Sequence, residues 1–218
     1  YLCNIKIIFK SILEKVILND SFIFINLKYY KKVIVISKSS DKTKIIASSN
    51  NTFNIELVEQ LGDQSINDII FISEDLKKIY GPNSLLDENN IHKYFNENTL
   101  PFIARHQNKI IGFIIGAPLE KFNNQSWVQH DDNLNKDNTL YTCAFIFKKE
   151  FRKKSGFSKT LKKVYTSWAK KRGFKYVTGH VNKNINLSGD IEILKEFPKW
   201  FDSKEPLFIT EKKYKRNL

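Results

Sequence analysis

The segment EFRKKSGFSKTLKKVYTSWAKKRGF, from Glu150 to Phe174, packs lysine and arginine around a single glycine and then becomes amphipathic. It follows TLYTCAFIF, a run apolar on both faces and so expected to be a central strand. A strand, a turn of small residues and a helix, in that order, form an anion site. The helix N-terminus offers unpaired N–H groups and a partial positive charge. Gly156 has no Cβ to hold a phosphate away from those amides. Ser155 and Ser158 can add hydroxyl donors, and Arg152, Lys153 and Lys154 add charge. Phe157, Leu161, Val164, Tyr165 and Trp168 share one face of the helix. Gly173 stands where a C-terminal cap glycine belongs, behind Lys170, Lys171 and Arg172, which suit the negative end of the dipole. The spacing is neither the GxxxxGKS/T phosphate loop nor the GxGxxG dinucleotide fingerprint. The alternative is a basic helix that is merely solvated, with Gly156 as a plain turn.

The elements that must position this turn are legible on both sides of it. FNIELVEQ alternates as a strand. SINDIIFISEDLKKIYG reads as a helix with Ser65 as its N-cap and Gly81-Pro82 as its stop, and DENNIHKYFN as a second, short helix. LPFIARHQ and IIGFIIGAPLE flank the polar pair Asn108-Lys109 and read as a hairpin. A polar loop covers Lys121 to Asn138. After the basic helix come a strand, KYVTGHV, a helix over LSGDIEILKEFPKWF and a last strand, EPLFITEKKYK. The order β-α-α-β-β-β-α-β-α-β predicts an α/β sheet with helices on its faces. Upstream, Ile5, Ile8, Phe9, Ile12 and Val16 recur at helical spacing, and two β-like runs cover Phe22–Leu27 and Val33–Ser37. SKSSDKTKIIASSNNT reads as a linker, so residues 1–52 form an extension of uncertain structure and 53–218 the main domain. The chain starts at Tyr1 and contains no Met, as a fragment or an upstream read-through would.

Composition narrows the partners. The 218 residues are 41% hydrophobic and 13% aromatic, enough for a packed core. The formal net charge of +13 calls for an anionic partner: nucleic acid, a phosphorylated cofactor or an anionic surface. Cys3 and Cys143 form no CxxC and no Cys/His cluster, which argues against a disulfide framework or a zinc site, leaves no metal to expect and fits a reducing, cytoplasmic setting. No stretch approaches the roughly 20 apolar residues of a membrane span, and no signal peptide is legible.

The basic turn and the order of elements around it resemble the GNAT (GCN5-related N-acetyltransferase) superfamily. The family motif is Arg or Gln, two residues, Gly, one residue, then Gly or Ala, placed between a buried strand and an amphipathic helix. Lys153-Lys154-Ser155-Gly156-Phe157-Ser158 fills it, with Lys153 at the first position and Ser158 at the last as departures; Arg152 fits the first position if the loop carries one extra residue. The likeness runs from about Phe53 to Leu218 and includes the hairpin FIARHQNKIIGFIIG. It implies a mixed, mostly antiparallel central sheet with helices on both faces and a splayed pair of central parallel strands.

It also implies an acyltransferase that transfers an acetyl group from acetyl-CoA to a primary amine. By that likeness, the N–H groups around Lys154 to Lys159 would hold the pyrophosphate. Backbone of Phe145, Ile146 and Phe147 would pair with the pantetheine arm as an added strand. Asn182 or Asn184 would contact the same arm, and the thioester would sit near Phe145. An amine must lose a proton to attack, and a main-chain N–H could polarise the carbonyl. Tyr141, opening the cofactor strand, and His180, near the end of the next, are the catalytic candidates; a histidine titrates where such a proton transfer needs it. The family often places a tyrosine acid in the helix after that strand. LSGDIEILKEFPKWF has none, and Tyr214 is a distant substitute.

The acceptor would lie under the helices from Ser65 to Asn96 and the loop from Lys121 to Asn138. There Trp127 and His130 stand beside Asp131 and Asp132, a setting suited to a cationic amine. The acceptor is a small molecule or a protein amine, and the chain a monomer or homodimer. Two other classes compete: a basic nucleic-acid-binding protein, in which charge and interleaved aromatics do the work, and a catalytically inactive GNAT-fold binding module.

Overall fold

The computed structural model describes residues 23–27, 30–34, 39–49, 52–84, 86–152, 156–182, 184, 191–198, 203 and 206–213. The chain divides into two compact units, Tyr1–Ser39 and Ser40–Leu218. In the first, β1 (Ile23–Leu27) and β2 (Tyr30–Ile34) pair antiparallel, Ile23 opposite Ile34 and Leu27 opposite Tyr30. The helix expected over Ile5–Val16 lies outside the described residues.

The second unit is built on one eight-stranded sheet in the order β3-β4-β5-β6-β7-β8-β10-β9. Its strands are β3 (Lys42–Ser49), β4 (Phe53–Gln60), β5 (Leu100–His106), β6 (Lys109–Pro118), β7 (Thr139–Phe147), β8 (Tyr176–Asn182), β9 (Ile191–Phe197) and β10 (Leu207–Lys213). Every neighbouring pair is antiparallel except β7 and β8. The helices are α1 (Asp63–Tyr80), the short α2 (Ile91–Tyr94) and α3 (Phe157–Lys171).

Alternation along the central strands builds a core on each face. Phe102 and Ala104 of β5 join Leu161, Tyr165 and Ala169 of α3. Ile103, between them, turns the other way and packs with Ile69, Ile72 and Leu76 of α1. The β5–β6 hairpin closes on Gln107 and Asn108, with φ of 50° and 62°, the pair of positive φ values that a two-residue primed turn requires.

Three expectations change. The compact unit begins at Ser40, not Phe53, because β3 adds to β4 as the edge strand of the sheet. Asp41, just before β3, accepts from Gly62 N (2.7 Å) and Ser65 Oγ (2.6 Å) and forms an ion pair with Arg105. Ser65 is thus not the N-cap: that place falls to Gly62, three residues earlier, and the Ser65 hydroxyl donates to Asp41. Finally, IEILKEF forms β9 rather than a helix. Its isoleucines suit either state, and the open edge of β10 supplies the partner that decides it.

Candidate active site

The site begins where the parallel ladder stops. β7 and β8 pair from Thr139–Tyr176 to Thr142–Gly179 and no further, while β7 continues to Phe147 alongside β6. The register of β7 on β6 jumps at this point: Gly116 faces Thr142 but Ile115 faces Ala144, so Cys143 is an inserted residue. Such a bulge bends its strand, and here the bend carries β7 away from β8. The result is a slot with one main-chain edge open.

The orientation of that edge follows from alternation. Lys148 N donates to Ile111 O at 2.8 Å, which turns the peptide groups of Lys148 and, two residues earlier, Ile146 toward β6. Those of Phe145 and Phe147 face the slot. Of the three residues expected to offer main chain to the arm, Phe145 and Phe147 turn theirs to the slot, whereas Ile146 turns its own to β6. The Phe145 ring, 38% exposed, stands at the opening. Arg152 closes the far end: its Nε donates to Phe147 O (2.7 Å) and its Nη2 to Asp75 of α1 (2.6 Å). Arg152 is thus engaged by protein acceptors.

The edge leads to the N-terminus of α3. Gly156 is its N-cap, at φ +68°, and a Cβ built there would meet nothing within 4 Å. A left-handed cap beside open space is the arrangement the turn requires for close approach of an anion. Its carbonyl accepts from Thr160 N at 3.0 Å, which leaves the preceding amides of the first turn, on Phe157, Ser158 and Lys159, pointing out of the helix end. The Phe157 ring stacks on Phe53 of β4 at 4.3 Å and fixes the turn to the sheet. Lys153, Lys154 and Ser155 lie outside the described residues. Asn182 ends β8, and its Oδ1 accepts from Asn184 N at 2.8 Å, which gives the pair a turn-forming role.

On the face opposite α3, the structure brings the two expected catalytic residues together. Tyr141 Oη lies 2.9 Å from His180 Nδ1. His180 is 9% exposed, and burial lowers its pKa to about 3, so its ring is neutral at physiological pH. Burial likewise pushes the Tyr141 phenol well above its ordinary value, helped by the neighbouring Cys143, Tyr80 and Tyr94. Trp127 packs on both members of the pair, with ring centroids 4.6 Å from Tyr141 and 4.9 Å from His180. It is buried, a wall behind the pair and not an open aromatic in a polar loop.

Two tyrosines at this place were not picked out in the sequence. Tyr80, the last residue of α1, donates to the His180 carbonyl at 3.3 Å. Tyr94, from α2, has its phenol raised first by burial and then by the nearby Cys143. Each sits at the end of a helix and far from the strands in sequence, so only their closing aromatic position hinted at a role. Cys143 is half-buried, and desolvation pushes its thiol to about 12.

The acceptor residues separate. Asp132 is exposed. Asp131 is 3% exposed and turned inward to Glu211 of β10, whose Oε1 accepts from Asn133 Nδ2 at 2.8 Å. Burial raises both carboxyls, Glu211 to about 7, with Asp131 and Glu192 adding to the rise. Among the described residues no cluster of His, Cys, Asp and Glu could hold a metal ion, and no helix is long and apolar enough to cross a membrane.

A mixed sheet that splays between the only parallel strands among the described residues, and opens onto a glycine-capped helix N-terminus, defines an α/β fold of acyltransferase type. A profile of the Acetyltransferase (GNAT) family matches residues 69–188, over half of the chain, and the chain belongs to that family. Solved structures agree on the fold. Ard1 from Thermoplasma volcanium superposes with a TM-score of 0.55 at 12% identity, over 76% of this chain and 99% of that one. Arabidopsis thaliana Naa50, in complex with the bisubstrate analogue CoA-Ac-MVNAL, gives 0.51 at 12% identity, over 73% and 99%. An aminoglycoside 6'-N-acetyltransferase complexed with coenzyme A gives 0.53 at 10% identity, over 73% and 96%. No curated protein matches in sequence.

Proposed function

We propose that this chain is an N-acetyltransferase that uses acetyl-CoA as co-substrate and passes the acetyl group to a primary amine by direct attack on the thioester. The observation that carries the reading is the end of the β7–β8 ladder at Thr142–Gly179, which leaves the Phe145 main chain and the Phe147 N–H unpaired by β8 along a path to Gly156, the Phe147 carbonyl being held by Arg152. The residues fit the cofactor. An extended amide-bearing arm can pair with that edge as a strand would, and the α3 amides suit a pyrophosphate.

Acetyl-CoA supplies an acyl group already activated as a thioester. The chain's own task is to orient it and to move protons. The Phe145 N–H, facing the slot, is placed to polarise a carbonyl there. His180, neutral and held by Tyr141, accepts a hydrogen bond from the incoming amine and orients it; with a pKa of about 3 it is too weak a base to keep the proton, which passes to solvent water. Tyr80, gripping the His180 carbonyl, is a positioning residue. The Cys143 thiol stays protonated with a pKa near 12, which favours direct transfer over an acyl-cysteine step. Asp132 is the exposed carboxylate available to an incoming ammonium. A cytoplasmic setting accords with the cysteine usage.

A thermal-shift titration with acetyl-CoA, followed by an amine acceptor screen with thiol detection, tests this. A rise in Tm and acceptor-dependent thiol release are expected. A Tm indifferent to millimolar acetyl-CoA would sink the assignment. A Tm shift with no thiol release from any amine would leave a binding module in its place.

A further inference from the structure

The cofactor turn accounts for only part of the positive charge around it. Twelve of the chain's 36 lysines and arginines, but only one of its 23 acidic residues, lie between Lys148 and Lys175. Within α3 itself there is no acidic residue at all. This is not a uniform bias of the sequence. α1 carries Asp63, Asp68, Glu74 and Asp75 together with Lys77 and Lys78, and Asp75 pairs with Lys78 and with Arg152.

The lysines of α3 lie on its solvent side in two groups. Lys159, Lys162, Lys163, Lys170 and Lys171 are all exposed. From Lys159 to Lys171 the helix rises about 18 Å, so its C-terminal half lies beyond the reach of a pyrophosphate seated on the first turn. The first group, Lys159, Lys162 and Lys163, falls within about 6 Å of axial rise and the second, Lys170 and Lys171, about 10 Å further on, each able to meet phosphates along one strand. A second element adds to the surface: Lys212 of β10 approaches Lys162, whose ammonium is lowered first by desolvation and then by that like charge. Two cations held together on adjacent elements suit an anion between them.

We propose that the outer face of α3, extended by Lys212, is a binding surface for the phosphodiester backbone of nucleic acid, separate from the cofactor turn. Of the exposed residues between the lysines, Ser167 offers a hydroxyl of the kind that contacts phosphates, whereas Thr160 donates its own to Gly156 O at 3.1 Å. A ring lies beneath one cation at its border, Lys171 Nζ 5.8 Å from the Trp168 ring. An anionic membrane is a poorer match. A helix that lies on a bilayer inserts an apolar face, but every fully exposed residue of α3 is Lys, Ser or Thr, and Leu161, Tyr165 and Ala169 are spent on the core.

The test uses the whole chain and fluorescence anisotropy with a labelled 20-nucleotide RNA strand and a DNA duplex of the same length, titrated over KCl. Binding that weakens linearly in log–log coordinates is expected, and the stronger of the two arms identifies the nucleic acid. The Lys162→Gln/Lys163→Gln/Lys171→Gln variant should reduce the salt slope by about 2, at ~0.7 per strand phosphate contact. Its Tm and its affinity for acetyl-CoA should match the parent. Should the triple variant fold poorly, Lys163→Gln alone should reduce the slope by about 0.7. Saturating acetyl-CoA should leave nucleic-acid affinity unchanged. The proposal is overturned if neither oligonucleotide binds at low salt, if the variants bind as the parent does, if acetyl-CoA displaces the oligonucleotide, or if phosphatidylserine vesicles or poly-glutamate bind more tightly.

Discussion

The Tyr141 hydroxyl and His180 Nδ1 meet at 2.9 Å across two parallel strands that separate one residue past Tyr141. The pair therefore stands at the apex of the slot, where a reacting group held along β7 would end. Burial that keeps His180 neutral also makes the pair independent of the pH range in which an ordinary histidine charges.

Removing the imidazole is accordingly expected to affect turnover and not cofactor binding. His180→Gln should lower kcat/KM by up to about 10²-fold through lost orientation of the amine, and Tyr141→Phe by less, with the acetyl-CoA dissociation constant within twofold of the parent. Imidazole NMR should show no His180 titration between pH 5 and 8. Unchanged thiol release by His180→Gln would remove His180 from the mechanism.

At Gly156 the test separates backbone from charge. With φ at +68° and open space around the missing Cβ, Gly156→Asn should cost only about 1 kcal/mol of stability and retain the turn, since asparagine tolerates the left-handed region. Gly156→Asp places a carboxylate at the same point and should weaken acetyl-CoA binding more than tenfold by titration calorimetry. Equal affinities for the two variants would place the pyrophosphate elsewhere.

Gly116 answers a different constraint. A Cβ there would overlap Tyr165 Oη and come to 3.0 Å from Leu140 Cδ2, while Tyr165 Oη bonds Thr142 Oγ1 at 3.1 Å on the last rung of the ladder. Gly116→Ala should cost about 1–3 kcal/mol in urea unfolding by overpacking. Adding Tyr165→Phe should recover part of the loss, because the clashing oxygen is gone. Simple additivity of the two losses would argue that the contact does not limit position 116.

The buried acids predict a pH dependence of opposite sign to that of His180. Glu211 rises from 4.5 to about 7 in the folded chain, so between those values the folded state holds more protons than the unfolded one and stability falls as pH rises. His180, lowered from 6.5 to about 3, loses stability as pH falls through that range. Glu211→Gln should therefore raise Tm at pH 8 by a few degrees, at about 2–4 °C per kcal/mol for a domain this size. That gain should shrink toward pH 4.5. A gain independent of pH would mean the carboxyl is ionised throughout.

Much of this protein is written in local pattern. Alternation in FNIELVEQ, the paired apolar runs either side of Asn108-Lys109 and the apolar face of the helix after Gly156 each depend on residues within one element, so the strands, the glycine-capped helix and the hairpin were legible, though its turn falls one residue earlier, on Gln107-Asn108, because Lys109 pairs with His106 as the first rung. Tyr141 and His180 could be named from their places on successive strands, and the family motif pointed to the turn. The rest depends on partners distant in sequence. IEILKEF suits two conformations, and the unpaired edge of β10 selects the strand. Asp41 lies in a Ser/Lys-rich stretch, yet its carboxylate gathers Gly62, Ser65 and Arg105 and draws β3 into the sheet. The slot exists because Cys143 is one residue more than β6 can match, an excess visible only once the strands are aligned. Tyr80 and Asp131 acquire their partners, the His180 carbonyl and Glu211, from elements 100 and 80 positions away. Side-chain periodicity fixes which face of an element is apolar, but register and burial, which only the packed sheet sets, decide which polar groups meet and what protons they hold.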